Sequence, residues 1–350
     1  MPRNRFFIPL LAASAALAAG RPAVALEELH PRHVTPEIRT AVRNGLGYLA
    51  RTQNSDGSWR STKDGGAYPI SMASLAGMAF LANGNTQSRG SYADHVRAAL
   101  GYVMRFGQDN GLITGPTQEQ GRPMYGHGFS MMFMSCCYGT ENNVRIRRQL
   151  RKTITAAIEL TGQAQSPAGG WTYVPGAGDE GSVTITQIQA LRAAHLAGFT
   201  VPEGTIRNAI RYLELCRAPE GGIRYSLSSG GNSRLAISAA AVATLYNAGD
   251  YDSEMADQCL KYVFDTFQSR KNQWSKGGGH DFYAHHYASQ AFYQAGNKYW
   301  DPYYPAAAAQ LVGMAQGDGS WRGGVGPVYG TSLALVVLQL PYKYLPIYQR

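Results

Sequence analysis

A short turn of the form Gln-x-x-x-Gly-x-Trp constrains this chain more than any other feature. It occurs as Gln53-Asn-Ser-Asp-Gly57-Ser-Trp59, as Gln165-Ser-Pro-Ala-Gly169-Gly-Trp171 and, one residue shorter, as Gln316-Gly-Asp-Gly319-Ser-Trp321. Each copy follows a helix-patterned segment, at Ile38 to Leu49, Leu150 to Leu160 and Pro305 to Met314. The tryptophans at 59, 171 and 321 leave room for one further copy in the first interval and two in the second, at about 50 residues per copy, a period typical of helical repeat arrays. Degenerate copies stand in those intervals: Gln108-Asp-Asn-Gly111-Leu, then Gly221-Gly222-Ile-Arg-Tyr225, then Gln273-Trp274.

Six units result, beginning near Pro36, Ser91, Asn142, Pro202, Ser253 and Asp301. Each reads as a helix, a glycine-rich turn and a second helix. The first helix carries apolar residues at helical spacing, as in Ile206, Ile210, Leu213 and Leu215, whereas the second is apolar and small on nearly every side, as in Ser71 to Ala82 or Leu235 to Leu245. The second helix is therefore expected to be the more deeply buried. Six such hairpins packed side by side give an outer and an inner ring. An open solenoid would need polar caps at both ends, and the terminal units carry none. The expectation is an all-α chain, an α/α toroid (α6/α6 barrel) of six helical-hairpin repeats.

Ahead of the first unit, residues 1–25 run from a basic start with Arg3 and Arg5 through the apolar stretch Phe6 to Ala19 to Ala23-Val24-Ala25. That pattern predicts a secretory signal peptide cut near Ala25 and a periplasmic or secreted fate. The apolar run is shorter than the roughly 20 residues a bilayer span needs. Residues 26–350 contain no Pro/Gly/Ser-rich linker and are read as one toroid domain. The formal charge of +9 includes Arg3, Arg5 and Arg21 of the leader; the rest is spread without a basic block, so nucleic-acid binding is not implied. Four cysteines do not make a disulfide framework in a chain this long. Cys136 and Cys137 read as buried small hydrophobes. Cys216 and Cys259 fall at similar places in consecutive repeats, which leaves a bridge between them open.

The turn resembles the QW motif of squalene–hopene cyclases and the related repeats of protein prenyltransferase β subunits. The chain looks most like the exported bacterial prenyltransferase/squalene-oxidase-repeat proteins. That resemblance implies that the Gln and Trp tie a helix end to the next turn, and it implies a terpene-cyclase-like or prenyltransferase-like ring. The family's reactive motifs, however, are changed. The cyclases' Asp-x-Asp-Asp acid is absent, and the nearest equivalent is Asp179-Glu180. The prenyltransferases' zinc set is also broken: Asp281-Phe-Tyr283 is present but is followed by Ala284 and then His285, and the Asp-x-Cys partner is replaced by Asn232-Ser-Arg-Leu-Ala-Ile237. The Gly-Cys-Gly-Glu-Gln of thioester toroids is absent too.

In a toroid of this kind the N-terminal ends of the inner helices gather at one mouth, where backbone N–H groups and helix dipoles are focused. Asp179 and Glu180 are the candidate acid there, their alternative role being helix capping next to Ser182 and Thr184. A glycosidase-type pair with Asp281 or Glu119 is a weaker reading. The cavity or ligand-binding candidates are Tyr68, Tyr125, His127, Arg234, Asp281, Tyr283, His285, His286, Tyr287 and Tyr329. With 22 tyrosines against 11 phenylalanines, Tyr125, Tyr283, Tyr287 and Tyr329 can either line an aromatic cavity or join ring layers through their hydroxyls. Asp281 and His285 share a helix face and are a weak metal alternative, while His285 and His286 lie about 100° apart on a helix and cannot both face the cavity. No cofactor is expected. Three readings follow, in order: a ring that binds an isoprenoid or other apolar small molecule or lipid, with peripheral membrane contact; a terpene-cyclase-like enzyme with Asp179 or Glu180 as acid; and a structural or protein-interaction ring.

Overall fold

The computed structural model describes residues 30–60, 68–115, 119–229, 231–247, 253–269 and 280–348. The leader and the Gln273-Trp274 turn lie outside them. Arg32–Arg350 form one compact unit; of the other, Met1–Pro31, only His30 and Pro31 are described. Twelve α-helices occur among the described residues. The odd-numbered ones are α1 (Pro36–Thr52), α3 (Ala93–Met104), α5 (Val144–Gln163), α7 (Glu203–Leu215), α9 (Glu254–Ser269) and α11 (Asn297–Met314). The even-numbered ones are α2 (Pro69–Ala82), α4 (Pro123–Tyr138), α6 (Gly181–Leu196), α8 (Leu235–Asn247), α10 (Asp281–Ala295) and α12 (Pro327–Gln339).

The even-numbered helices form the inner ring because they have no polar face to show to water. Every residue of α2 is buried, and so are all but one of the residues in α12. The odd-numbered helices bury one stripe each, as α1 does with Ile38, Val42, Leu46 and Leu49. In α7 the buried stripe is Thr205, Ala209, Tyr212 and Leu213. The face is turned from the one its aliphatic spacing suggests: Ile206 and Ile210 are only half-buried and Leu215 is 50% exposed. The Tyr212 ring, packed beside Gly170, takes the inward place and rotates the stripe. Helix α11 also begins earlier than expected, with Pro302 and Pro305 inside it.

The recurring turns hold neighbouring hairpins together by one repeated set of bonds. Trp59, Trp171 and Trp321 are buried and donate their indole N–H to the carbonyls of Leu49, Thr161 and Leu311 at 2.8, 2.8 and 2.6 Å. Gln53 and Gln165 donate across to the next outer helix, at His95 O (3.1 Å) and Thr205 O (2.9 Å). Gly169 has φ +98° and presses on that same helix so closely that a Cβ would lie 2.1 Å from Asn208 O. Glycine is required twice over there, by conformation and by space. Gly57 and Gly111 do the same against Ala98 and Ala156, and Gly319 does so against Asn44 of α1. The last turn thus packs on the first helix. Helices α11 and α12 contact α1, α12 also contacts α2, and Asp301 of α11 pairs with His33 (3.0 Å) and Arg32 (3.1 Å). The ring is closed.

After α12 the chain turns back at Leu340–Tyr342, and a second 3-10 turn, Pro346–Tyr348, packs on α6. Leu345, Ile347 and Tyr348 are buried, and the Tyr348 hydroxyl lies within electrostatic reach of Cys136 on α4 and Tyr287 on α10. A side chain that meets α4, α6 and α10 together is inside the inner ring. No helix among the described residues is long and apolar enough to cross a membrane. All four cysteines are buried and free, so Cys216 and Cys259 are not bridged.

Candidate functional site

Two buried carboxylates stand where the inner helices begin. Glu119 accepts from the backbone N–H of Ile70 (3.1 Å) and Ser71 (3.2 Å) and from the Ser71 hydroxyl (2.8 Å), which caps α2 from a neighbouring repeat. Burial raises its pKa, against the pull of these donors. Glu180 caps its own helix, α6, accepting from Ser182 N (3.0 Å), Val183 N (2.7 Å) and Ser182 Oγ (2.7 and 2.8 Å). A helix start offers unpaired N–H groups and positive potential, so a buried carboxylate is well placed to satisfy both. Neither group presents a proton outward in this arrangement.

Glu180 also orders the hydroxyls around it. The Tyr125 hydroxyl lies 2.5 Å from Ser182 Oγ, which donates to Glu180, and 3.4 Å from Glu180 Oε1, so the three groups share one hydrogen-bonded cluster. The Tyr283 hydroxyl donates to Ser182 O (3.0 Å) from α10, crossing the ring to α6, and in turn accepts from Tyr287 (3.3 Å). Thr186 lies 3.2 Å from the same hydroxyl. Burial raises all of these phenols: Tyr125, with Glu180 adding to the effect; Tyr283, with Tyr287 and Tyr125 adding; and Tyr287, to about 12. Tyr329 of α12 is raised by burial and by Tyr287. All remain protonated at neutral pH. Tyr125, Tyr283 and Tyr287 are thereby linked at one mouth through Ser182, with Tyr329 of a third inner helix within electrostatic reach of Tyr287.

The tyrosine cluster extends beyond the residues singled out in the sequence. Tyr173 packs its ring 5.9 Å from Tyr125, under the Arg122 guanidinium, and its hydroxyl meets that of Tyr225. Tyr173 stands two places after Trp171, and Tyr225 two places after Ile223, the residue that replaces tryptophan in its repeat. That equivalence was a signal available in the sequence.

The histidines divide between two sides. His127 faces outward: its Nδ1 accepts from Ile113 N (3.2 Å), so the Nε2 proton goes to Thr161 Oγ1 of α5 (2.9 Å). Thr184, Ser238 and Thr331 make the same tie, accepting from Trp171 N (2.9 Å), Ile223 N (2.8 Å) and Trp321 N (2.9 Å). His127 is thus the imidazole version of a repeated Thr/Ser position. His285 also faces outward, to Tyr303 of α11 (3.1 Å) and the Phe267 ring. His286 faces inward, in a chain with Gln290 (3.2 Å), which accepts from Gln189 of α6 (2.9 Å). Burial pulls the three pKa values down, to about 4, 3 and 4 in that order. The outward–inward split of His285 and His286 follows from their 100° separation on the helix.

The remaining candidates lie at the rim. Tyr68 is half-buried just before α2, Asp281 half-buried at the start of α10, and Arg234 exposed just before α8. Asp179 is half-buried, with Leu227 N at 3.4 Å. No group of three His, Cys, Asp or Glu among the described residues is arranged to hold a metal ion.

No family model and no curated protein matches the sequence. Solved structures do. The type II terpene cyclase MstE from Scytonema superposes at TM-score 0.62 with 11% identity, covering 89% of this chain and 100% of the cyclase. The α-1,6-mannanase GH76A of Salegentibacter, solved as an inactive variant with α-1,6-mannotriose, superposes at TM-score 0.62 with 9% identity and the same coverage. A protein from Actinoplanes matches at TM-score 0.56 and 16% identity, covering 88% of this chain and 99% of its own. The fold is an α/α toroid. At these identities the likeness is one of fold, and it spans enzymes of two unrelated chemistries.

Proposed function

We propose that this protein binds an isoprenoid-like apolar small molecule at the tyrosine-lined mouth of the ring, without turnover, after export from the cytoplasm. One observation carries the reading: both buried carboxylates at the mouth are consumed as helix caps, and the hydroxyl protons of Tyr125, Tyr283 and Tyr287 point to partners inside the ring. What remains for a ligand is aromatic ring surface and hydroxyl lone pairs. That suits a hydrocarbon body with a weakly polar end. It does not suit acid-initiated cyclisation, which needs a carboxylic proton aimed at an alkene, or a glycosidase pair, which needs two carboxyl groups free to face the sugar. The terpene cyclase MstE, also solved with geranylgeranyl dihydroxybenzoate, lends the idea of an isoprenoid guest in such a ring.

The test is extraction of the purified mature protein followed by lipid mass spectrometry, together with titration by radiolabelled geranylgeraniol. Retention of about one isoprenoid per chain is expected, weakened at least tenfold in Tyr329→Ala. Absence of saturable retention, or an unchanged affinity in Tyr329→Ala and Tyr125→Ala, overturns the reading. A second reading rests on Asp179, half-buried just before α6, with Leu227 N at 3.4 Å and the Tyr212 hydroxyl within electrostatic reach. Were Asp179 a cyclising acid, cyclised product would form from a geranylgeranyl substrate and vanish in Asp179→Asn.

A further inference from the structure

On the face of the ring opposite the tyrosine mouth, a cavity of about 330 Å³ opens between α1, the start of α3 and the chain just after α12. Its floor is the row Ile38, Val42 and Leu46, whose spacing of four keeps them on one side of α1, with Val34 just ahead of the helix. Beside that row, also four apart, stand Arg39 and Arg43. Tyr92 and Tyr342 close the remaining walls, with Asn83 and Ser91 at the edge. The combination is specific: an apolar strip, two aromatic rings and two guanidinium groups in one small concavity.

The charges around it favour an anion. Arg43 is exposed, and none of the ion pairs among the described residues includes it. Glu37 lies within electrostatic reach of Arg39 but is fully exposed, where screening weakens it. The neighbouring carboxylates Asp94 and Asp301 are already paired, with Arg97 and with Arg32 and His33. Tyr92 is the N-cap of α3, so the positive end of that 12-residue helix adds to the site.

We propose that this cavity binds a small organic carboxylate with a flat apolar body. The guanidinium of Arg43 takes the carboxylate in a two-pronged hydrogen bond, and the body lies on the Ile38–Val42–Leu46 strip between Tyr92 and Tyr342. A cavity of this size sits at the low end of small-molecule sites, too small for a folded peptide segment. A phosphate dianion, which seeks donors on every side, would leave the apolar floor unused. The site is separate from the tyrosine mouth, so it stands or falls independently of the function proposed there.

The probe is 2-naphthoate, titrated into the intact protein by fluorescence and calorimetry, with neutral 2-naphthalenemethanol as the uncharged analogue and inorganic phosphate as competitor. Saturable one-to-one binding of naphthoate is expected, at least tenfold tighter than the alcohol. Phosphate should compete only weakly. Arg43→Gln should weaken naphthoate at least tenfold, and Ser91→Trp, at the exposed rim, should block it, both with unchanged circular dichroism and thermal midpoint. Equal affinity for the alcohol, tight binding of phosphate alone, or wild-type affinity in the two variants would each overturn the proposal.

Discussion

At the residue scale, the same amino acid serves different ends according to which way its helix turns it. His127, His285 and His286 are all buried and held neutral, with pKa values drawn to about 4, 3 and 4. Between their ordinary value near 6.5 and those depressed values, the unfolded chain takes up protons that the native state refuses. Stability is therefore complete above about pH 6.5 and falls as the pH drops toward 4, by up to about 1.4 kcal/mol per pH unit for each histidine. Urea midpoints measured from pH 7.5 to 4.5 should show this, and His127→Thr should remove part of the slope. That substitution installs the residue found at the equivalent Thr184 and Thr331, but it leaves Thr161 short of a partner and a small void, so a loss of about 2 kcal/mol at pH 7 is also expected. Glu119 tilts the curve the other way. Its raised pKa means that the native state is favoured below the ordinary carboxylate range and loses that advantage as pH rises, a trend that Glu119→Gln should flatten.

At the element scale, the turns carry the architecture more than the helices do. The turn must place a glycine against a carbonyl and an indole under a helix end. Gly169→Ala forces a β-carbon to 2.1 Å from Asn208 O at a φ of +98°, and should cost about 3 kcal/mol or more in urea unfolding. Gly198→Ala is the control. It has a similar φ of +90° with nothing within 4 Å of the added carbon, so only about 1 kcal/mol is expected. Trp171→Phe keeps the ring but loses the bond to Thr161 O, leaving a buried carbonyl unpaired for about 1–3 kcal/mol. A result in which Gly169→Ala and Gly198→Ala cost the same would refute the role assigned to the turn.

At the scale of the whole molecule, closure is made twice, around the ring and through it. Around it, the last turn packs on the first helix through Gly319 and Asn44. Through it, Tyr283 and Gln290 of α10 reach α6, and the C-terminal segment brings Leu345, Ile347 and Tyr348 against the inner helices. Ending the chain at Tyr344 removes three side chains each worth about 1.5–3 kcal/mol of burial, so the truncated protein should lose several kcal/mol of stability and bind a hydrophobic dye where the full chain does not. Unchanged dye binding would mean that the segment covers no apolar surface. The sequence determined the six-unit ring, because periodic glutamine, glycine and tryptophan turns and two kinds of apolar helix are local patterns. It also brought Tyr125, Glu180, Tyr283, Tyr287 and Tyr329 forward, since all stand near inner-helix starts. Only the tertiary structure decided what those residues do. Whether Glu180 offers a proton or caps a helix, whether His127 looks into the ring or out to Thr161, and whether Leu215 is covered depend on neighbours tens of residues away, and a hydrogen bond is a property of two partners, not one.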